Sequence, residues 1–148
     1  DSNGNVILKK TDLDLSDVDA IKINPEEGQN IVSGSHDEMM LALQKKGIEY
    51  VLLTNKVDVS LLVKNRVYSL RLPNKTTHDT TGIGDIFCST FTCTMLKEKD
   101  FLWALCFAAG SAQAALESNN VGLQKIPKKG MVENNASYFY NLVDFRDL

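Results

Sequence analysis

The 148-residue sequence has no apolar run long enough for a bilayer, no excess of basic charge and few cysteines. Its longest uncharged stretch, Phe101 to Leu116, is interrupted by Gly110, Ser111 and Gln113. It falls short of the roughly 20 residues that a spanning helix needs, so no membrane partner is expected. No signal-peptide pattern opens the sequence. Lys and Arg total 16 against 19 Asp and Glu, a net charge of −3. A mildly acidic chain without a basic stripe lacks the footprint of a nucleic-acid binder. The three cysteines, Cys88, Cys93 and Cys106, are odd in number and sit in apolar surroundings. With His36 and His78 they match no zinc spacing, and Cys88 and Cys93 are not spaced to share a helix face. Buried thiols in a reducing, cytoplasmic setting are therefore expected. No G-x-x-x-x-G-K-[ST] is present, which excludes a P-loop, and Ser111 lacks the G-x-S-x-G context of a nucleophile elbow.

What is present is a globular composition, 43% hydrophobic and 24% charged. A chain of this size can bury about 68–70% of its unfolded surface in one core. Asn3-Gly4 signals a tight turn before the extended run Val6-Ile7-Leu8. A strand over residues 20–24 stops at Pro25, because the residue before proline is pushed from helical angles. Pro25-Glu26-Glu27 suits a helix's first turn. Ser35 can cap a helix through about Lys46 that buries Met39, Met40 and Leu43 and ends at Gly47, with His36 on its surface. Residues 50–54 form a nearly continuous apolar run, as in a parallel strand covered on both faces. Residues 59–63 and 66–72 flank Lys64-Asn65 as a hairpin. Beyond Pro73 the pattern turns helical. Phe87, Phe91 and Met95 recur at i, i+4, i+8. Asp100 can cap a helix from Phe101 to about Glu117 that is apolar nearly all round, with Trp103 as a core anchor. A last helix, roughly 131–143, presents Tyr138, Phe139 and Leu142, and Lys128-Lys129 forms a solvated pair. Alternating strands and helices predict an α/β fold with an open, mainly parallel sheet covered by helices.

The segment richest in chemistry is Asp79-Thr80-Thr81-Gly82-Ile83-Gly84-Asp85. Two glycines in a turn that opens into an amphipathic helix let backbone N–H groups converge. The helix N-terminus adds roughly half a unit of positive charge. Such a place attracts phosphate, and above all the charge spread over a phosphoryl group in transfer. A carboxylate at its mouth, Asp85, can accept the proton of an attacking hydroxyl. The same spacing also fits a plain turn in which Thr81 or Asp85 caps the helix.

These seven residues resemble the C-terminal signature D-T-T-G-A-G-D of the ribokinase/PfkB family of carbohydrate kinases, with Ile83 in place of alanine. Lys22-Ile23-Asn24-Pro25-Glu26-Glu27 is similar to the family's K-x-N-x-x-E segment. Gly122-Leu123-Gln124-Lys125-Ile126-Pro127, after a small-residue helix, is similar to its closing G-A-x-x-x-[LVI]-P stretch. The three occur in the family's order. The resemblance implies a ribokinase-like fold, with residues 1–148 forming the C-terminal, nucleotide-binding part of a kinase domain. The missing N-terminal half would supply sugar contacts and a β lid. Some relatives dimerise through that lid, which leaves a homodimer open.

The implied activity is transfer of the ATP γ-phosphate to a hydroxyl of a small-molecule sugar, polyol or nucleoside. Asp85 would be the general base, and the N–H groups of Gly82, Ile83 and Gly84 the anion hole. Asn24 and Glu27 would place Mg²⁺ and the nucleotide phosphates, Glu27 through water. Thr54 and Asn55 begin the segment that reads T-x-G-x-x-G in the family and passes along the nucleotide. Asp79, the Thr81 backbone and the loop over residues 118–122 lie where some relatives hold a monovalent cation such as K⁺. Two departures stand out. Lys56 and Val59 replace the glycines of that nucleotide segment, so the loop is expected to take another shape, with Lys56 available to phosphate. They motivate the alternative of a non-catalytic nucleotide- or metabolite-binding module derived from such a kinase.

Overall fold

Pro25, Ser35 and Asp100 each start a helix where the sequence pattern puts one. The computed structural model describes residues 14–73, 80–118 and 120–148. The elements run β1 (Ala20–Ile23), α1 (Pro25–Ile31), α2 (His36–Lys45), β2 (Tyr50–Asn55), β3 (Asp58–Val63) and β4 (Arg66–Arg71). They continue with α3 (Ile83–Glu98), α4 (Phe101–Leu116), a 3-10 turn (Gly122–Lys125), α5 (Lys129–Tyr140) and β5 (Asp144–Asp147). The strands form one five-stranded sheet in the order β1-β2-β3-β4-β5. The turn and run expected over residues 3–8 lie outside the described residues, as do His78 and Asp79. Among the described residues, no helix is long and apolar enough to cross a membrane.

The α/β class is the expected one, but parallel pairing is confined to a smaller part of the sheet than expected. β1 and β2 are parallel, with Ala20 opposite Tyr50 and Ile23 opposite Leu53. β2, β3 and β4 then follow through two-residue turns, too short for anything but antiparallel neighbours. In the second of these turns Lys64 and Asn65 take φ of 49° and 63°, as a two-residue hairpin of the primed type requires.

The residues fall into two compact units. The first takes in the described residues up to Lys56, with Ser60–Val67 and Arg146–Leu148. Its helices start on reciprocal caps: Asn24 with Glu27 for α1, and Ser35 with Glu38 for α2. Met39, Met40 and Leu43 of α2 pack with Ile23, Val51, Leu53 and Leu62. β5 has no apolar alternation to announce it, and all four of its residues are exposed. Polar contacts tether its end. Arg66 Nε bonds Asp147 Oδ1 at 2.6 Å, and Arg146 forks onto both oxygens of Asp37. The Arg66 hydrogen bond holds the Asp147 carboxyl below its ordinary range.

The second unit comprises Val57–Val59 and Tyr68–Phe145. α4 packs against both α3 and α5, and eleven of its sixteen residues are buried, which is why it is apolar nearly all round. Asp100 accepts from the N–H groups of Leu102 and Trp103, both at 3.0 Å. α3 buries Phe87 and Phe91 as expected, with Thr94 buried where the pattern favours Met95. α5 buries Val132, Ala136 and Phe139, an i, i+4, i+7 stripe. That corrects the expected face: Tyr138 is 59% exposed, and Leu142, beyond the helix end, is 48% exposed.

Gly110 sets how closely α4 and α5 approach. A Cβ built there would lie 2.8 Å from the Val132 carbonyl oxygen and 3.0 Å from the Ala136 nitrogen, both backbone atoms. Asn135 Nδ2 donates to the Gly110 carbonyl at 3.2 Å across the same contact. Gly110→Ala is therefore expected to destabilise the fold by about 1–3 kcal/mol through overpacking. That outweighs the roughly 0.5–1 kcal/mol alanine gains in helix propensity. Urea unfolding measures the difference; an unchanged or raised midpoint would show that α5 shifts freely.

Candidate active site

The site in the second unit is built on the start of α3. Gly82 is its N-cap, with φ 79° and ψ −4°, and among the described residues no side-chain cap hydrogen bond is made there. Ile83 N–H makes a long bond to the Thr80 carbonyl, 3.3 Å, and Ile86 N–H closes the first helical bond to Gly82 at 2.9 Å. The first N–H groups of any helix lack an acceptor within the helix, and of these Ile83 N–H turns back to the Thr80 carbonyl. α3 is sixteen residues long, and its dipole adds partial positive charge at the same end. Asp85 is the third helical residue and its side chain is exposed. An exposed carboxylate and a glycine-headed helix start thus lie within one helical turn of each other.

A cleft of about 910 Å³ opens beside this turn, lined among others by Thr81, Gly82, Asp85, Ile86, Trp103 and Lys125. Its volume lies within the ~300–1,000 Å³ of small-molecule sites. Trp103 is half-buried rather than a core anchor. Its ring faces Phe107 at 5.8 Å and Tyr140 at 6.1 Å, and it forms part of the cleft wall. Cys93 also lines the cleft and is exposed, against the expectation of three buried thiols, because its side of α3 forms the wall. Cys106 is buried, and that burial, with the Asp100 charge as a lesser cause, pushes its thiol up to about 12. The described residues contain no cluster of His, Cys, Asp or Glu able to hold a metal by themselves.

Lys125 was legible in the sequence only as part of the closing stretch and carries more than that. It is 3% exposed, and its Nζ donates to the Thr81 carbonyl at 3.3 Å. The turn that carries it is held by Ile126 N–H on the Leu123 carbonyl and by Asn120 Nδ2 on the Gln124 carbonyl, both at 3.2 Å.

The remaining expected residues, Val59 apart, belong to the first unit. Asn24 Oδ1 accepts from Glu27 N–H, and Asn24 N–H donates to Glu27 Oε2, each at 2.8 Å. Lys22 Nζ stands 3.6 Å from the same Oε2. The pair is thus a helix cap in the first place, with one Glu27 oxygen committed to it. Thr54 and Asn55 are half-buried at the end of β2. Lys56 follows with φ 53°, taking the left-handed angle for which a glycine is usual. Val59 is buried within β3 and avoids strain by being a strand residue rather than a loop one. Lys56 and Val57 thus form a two-residue turn between β2 and β3.

Residues 3–129 match the family model described as pfkB family carbohydrate kinase. An Arabidopsis thaliana ribokinase, solved with ribose and ATP, superposes at a TM-score of 0.71 with 21% identity, over 82% of this chain and 42% of its own. A pyrophosphate-dependent kinase of the ribokinase family, solved with a pyrophosphate analogue and myo-inositol, gives 0.67 and 18%, over 81% and 42%. A structure given as E. coli ribokinase II with ATP and Mg²⁺ gives 0.70 and 16%, over 81% and 39%. The chain thus spans about two fifths of the length of these solved structures. No curated protein matches it in sequence.

Proposed function

The chain belongs to the pfkB family of carbohydrate kinases, and from that premise we propose that it carries the phosphoryl-transfer part of a small-molecule kinase. It would be the C-terminal, nucleotide-binding part of the kinase domain. The donor is ATP and the acceptor a hydroxyl of a sugar, polyol or nucleoside. The observation that carries this reading is the uncapped, glycine-headed start of α3 with Asp85 in its first turn, open to the cleft. Phosphate favours helix N-termini whose N–H groups face no competing side-chain cap, and the glycine cap of α3 makes none.

The chemistry follows from placement. Asp85 takes the proton of the acceptor hydroxyl, and the oxygen so freed forms a bond to the γ-phosphorus. The bond to the β–γ bridging oxygen breaks in line, and ADP leaves with the electron pair. Negative charge spreads over the three equatorial oxygens, where the N–H groups of Gly82 and Gly84 stabilise it, joined by that of Ile83 once it exchanges its long bond to the Thr80 carbonyl for a phosphoryl oxygen. Mg²⁺ bound to the donor would neutralise phosphate charge and orient the β- and γ-phosphates. The fit on this chain is through water: the Glu27 oxygen outside the cap can accept from a metal-bound water, as a reluctantly dehydrated Mg²⁺ prefers. Thr54 and Asn55 would pass along the nucleotide, and Lys56, exposed on its turn, would face phosphate.

The deciding experiment titrates the intact protein calorimetrically with ATP and ADP, with and without Mg²⁺, then assays turnover over a panel of hydroxyl acceptors. Mg²⁺-dependent nucleotide binding and turnover with one acceptor class are expected. Nucleotide binding without turnover of any acceptor would favour a non-catalytic binding module. Turnover with pyrophosphate in place of ATP would overturn the choice of donor.

A further inference from the structure

A lysine buried to 3% exposure needs a reason, because an ammonium taken out of water costs free energy unless oxygen atoms replace the solvent. Lys125 Nζ reaches across 44 positions of sequence to the Thr81 carbonyl, 3.3 Å away. That carbonyl shares a peptide unit with the N–H of Gly82, and in a trans peptide the two point in opposite directions. Whatever holds the Thr81 oxygen therefore aims the Gly82 N–H. Gly82 itself carries no side chain that could anchor the turn.

We infer that Lys125 is a positioning residue, an internal cation that pins the Thr81 carbonyl and so fixes the anion-binding turn without any added monovalent cation. The inference rests on the kinase reading above. It also departs from the expectation of a K⁺ site at this carbonyl, because the ammonium already stands there. A carbonyl oxygen suits K⁺ and an ammonium alike, since each is a compact single positive charge. The position of Lys125 is fixed by its own turn: Gly122 takes φ 58°, and the hydrogen bonds from Ile126 and Asn120 close the loop around it.

The test compares turnover in KCl and in tetramethylammonium chloride at equal ionic strength, for the intact protein and for Lys125→Ala and Lys125→Met. The unsubstituted protein should work within about twofold in the two salts. Both variants should lose roughly 100-fold in kcat in tetramethylammonium, the scale on which a slight misplacement of reacting groups is felt. K⁺ should restore part of the loss in Lys125→Ala, where space and carbonyl oxygens remain, and not in Lys125→Met, where the methionine stem fills the space. The unfolding midpoint of Lys125→Ala should likewise rise with K⁺ while that of the unsubstituted protein does not. Activation of the unsubstituted protein several-fold by K⁺ would overturn the inference, as would unchanged turnover of Lys125→Ala in tetramethylammonium. If no acceptor is turned over at all, the kinase reading fails. The K⁺ dependence of unfolding then decides for the internal cation alone: a rise confined to Lys125→Ala supports it, and no rise in any variant overturns it.

Discussion

Asp85→Asn should lower kcat by about 10²- to 10⁴-fold, the range removed with a positioned general base, while donor affinity stays within about twofold. The asparagine amide has nearly the shape of the carboxylate but cannot take the hydroxyl proton. Phosphate binding, by contrast, is assigned to the backbone N–H groups of the α3 turn, which the substitution leaves in place. The unfolding midpoint should barely move, because Asp85 is exposed and supplies no cap to its helix. This combination separates a base from a structural carboxylate. Loss of donor affinity in step with kcat would mean that Asp85 shapes the turn, and the assignment of the base would fall.

How far the site could be read in advance depends on whether its chemistry is local. The turn Thr81-Gly82-Ile83-Gly84-Asp85 is contiguous, so its glycine spacing and following helix are visible in the sequence, as are the caps Ser35 and Asp100, whereas the Asn24 cap emerges only in the structure. Lys125 was hidden because its role exists only through a carbonyl 44 positions away; in the sequence it is one more cation near Lys128 and Lys129. The hairpin signal at Lys64-Asn65 was legible. That Lys56 would take a left-handed angle was not, because nothing in a lysine's chemistry asks for one, and the short β2–β3 connection imposes it. β5 escaped notice because four exposed residues leave no apolar period. The buried face of α5 is ambiguous in the sequence for a related reason. Tyr138 and Leu142 are as apolar as its true contacts, and only the packing of α4 against the side that carries Val132 and Ala136 selects between the faces.

Gly82 offers the second large effect, and it tests the backbone rather than a side chain. Its φ of 79° lies in the left-handed region, and a Cβ built there meets nothing within 4 Å among the described residues. Crowding is therefore not the obstacle, and the cost of a substitution is set by the backbone angle. For an ordinary L-residue that cost is roughly 1–2 kcal/mol, and a β-branched residue tolerates the region least. A valine would relieve the strain by turning φ negative, which swings the Thr81–Gly82 peptide and redirects the N–H groups that follow. Gly82→Val should thus lose about 10²- to 10³-fold in kcat, the scale of a missing oxyanion donor. Gly82→Asn should keep most of the activity, since asparagine visits left-handed angles with its side chain bonded locally. Gly82→Ala should fall between them. The ranking Asn, Ala, Val follows conformational preference and not size, for alanine is the smallest of the three and yet falls in the middle. Equal losses in all three would mean that any side chain at this position obstructs the cleft, and the backbone angle would no longer explain why glycine stands there.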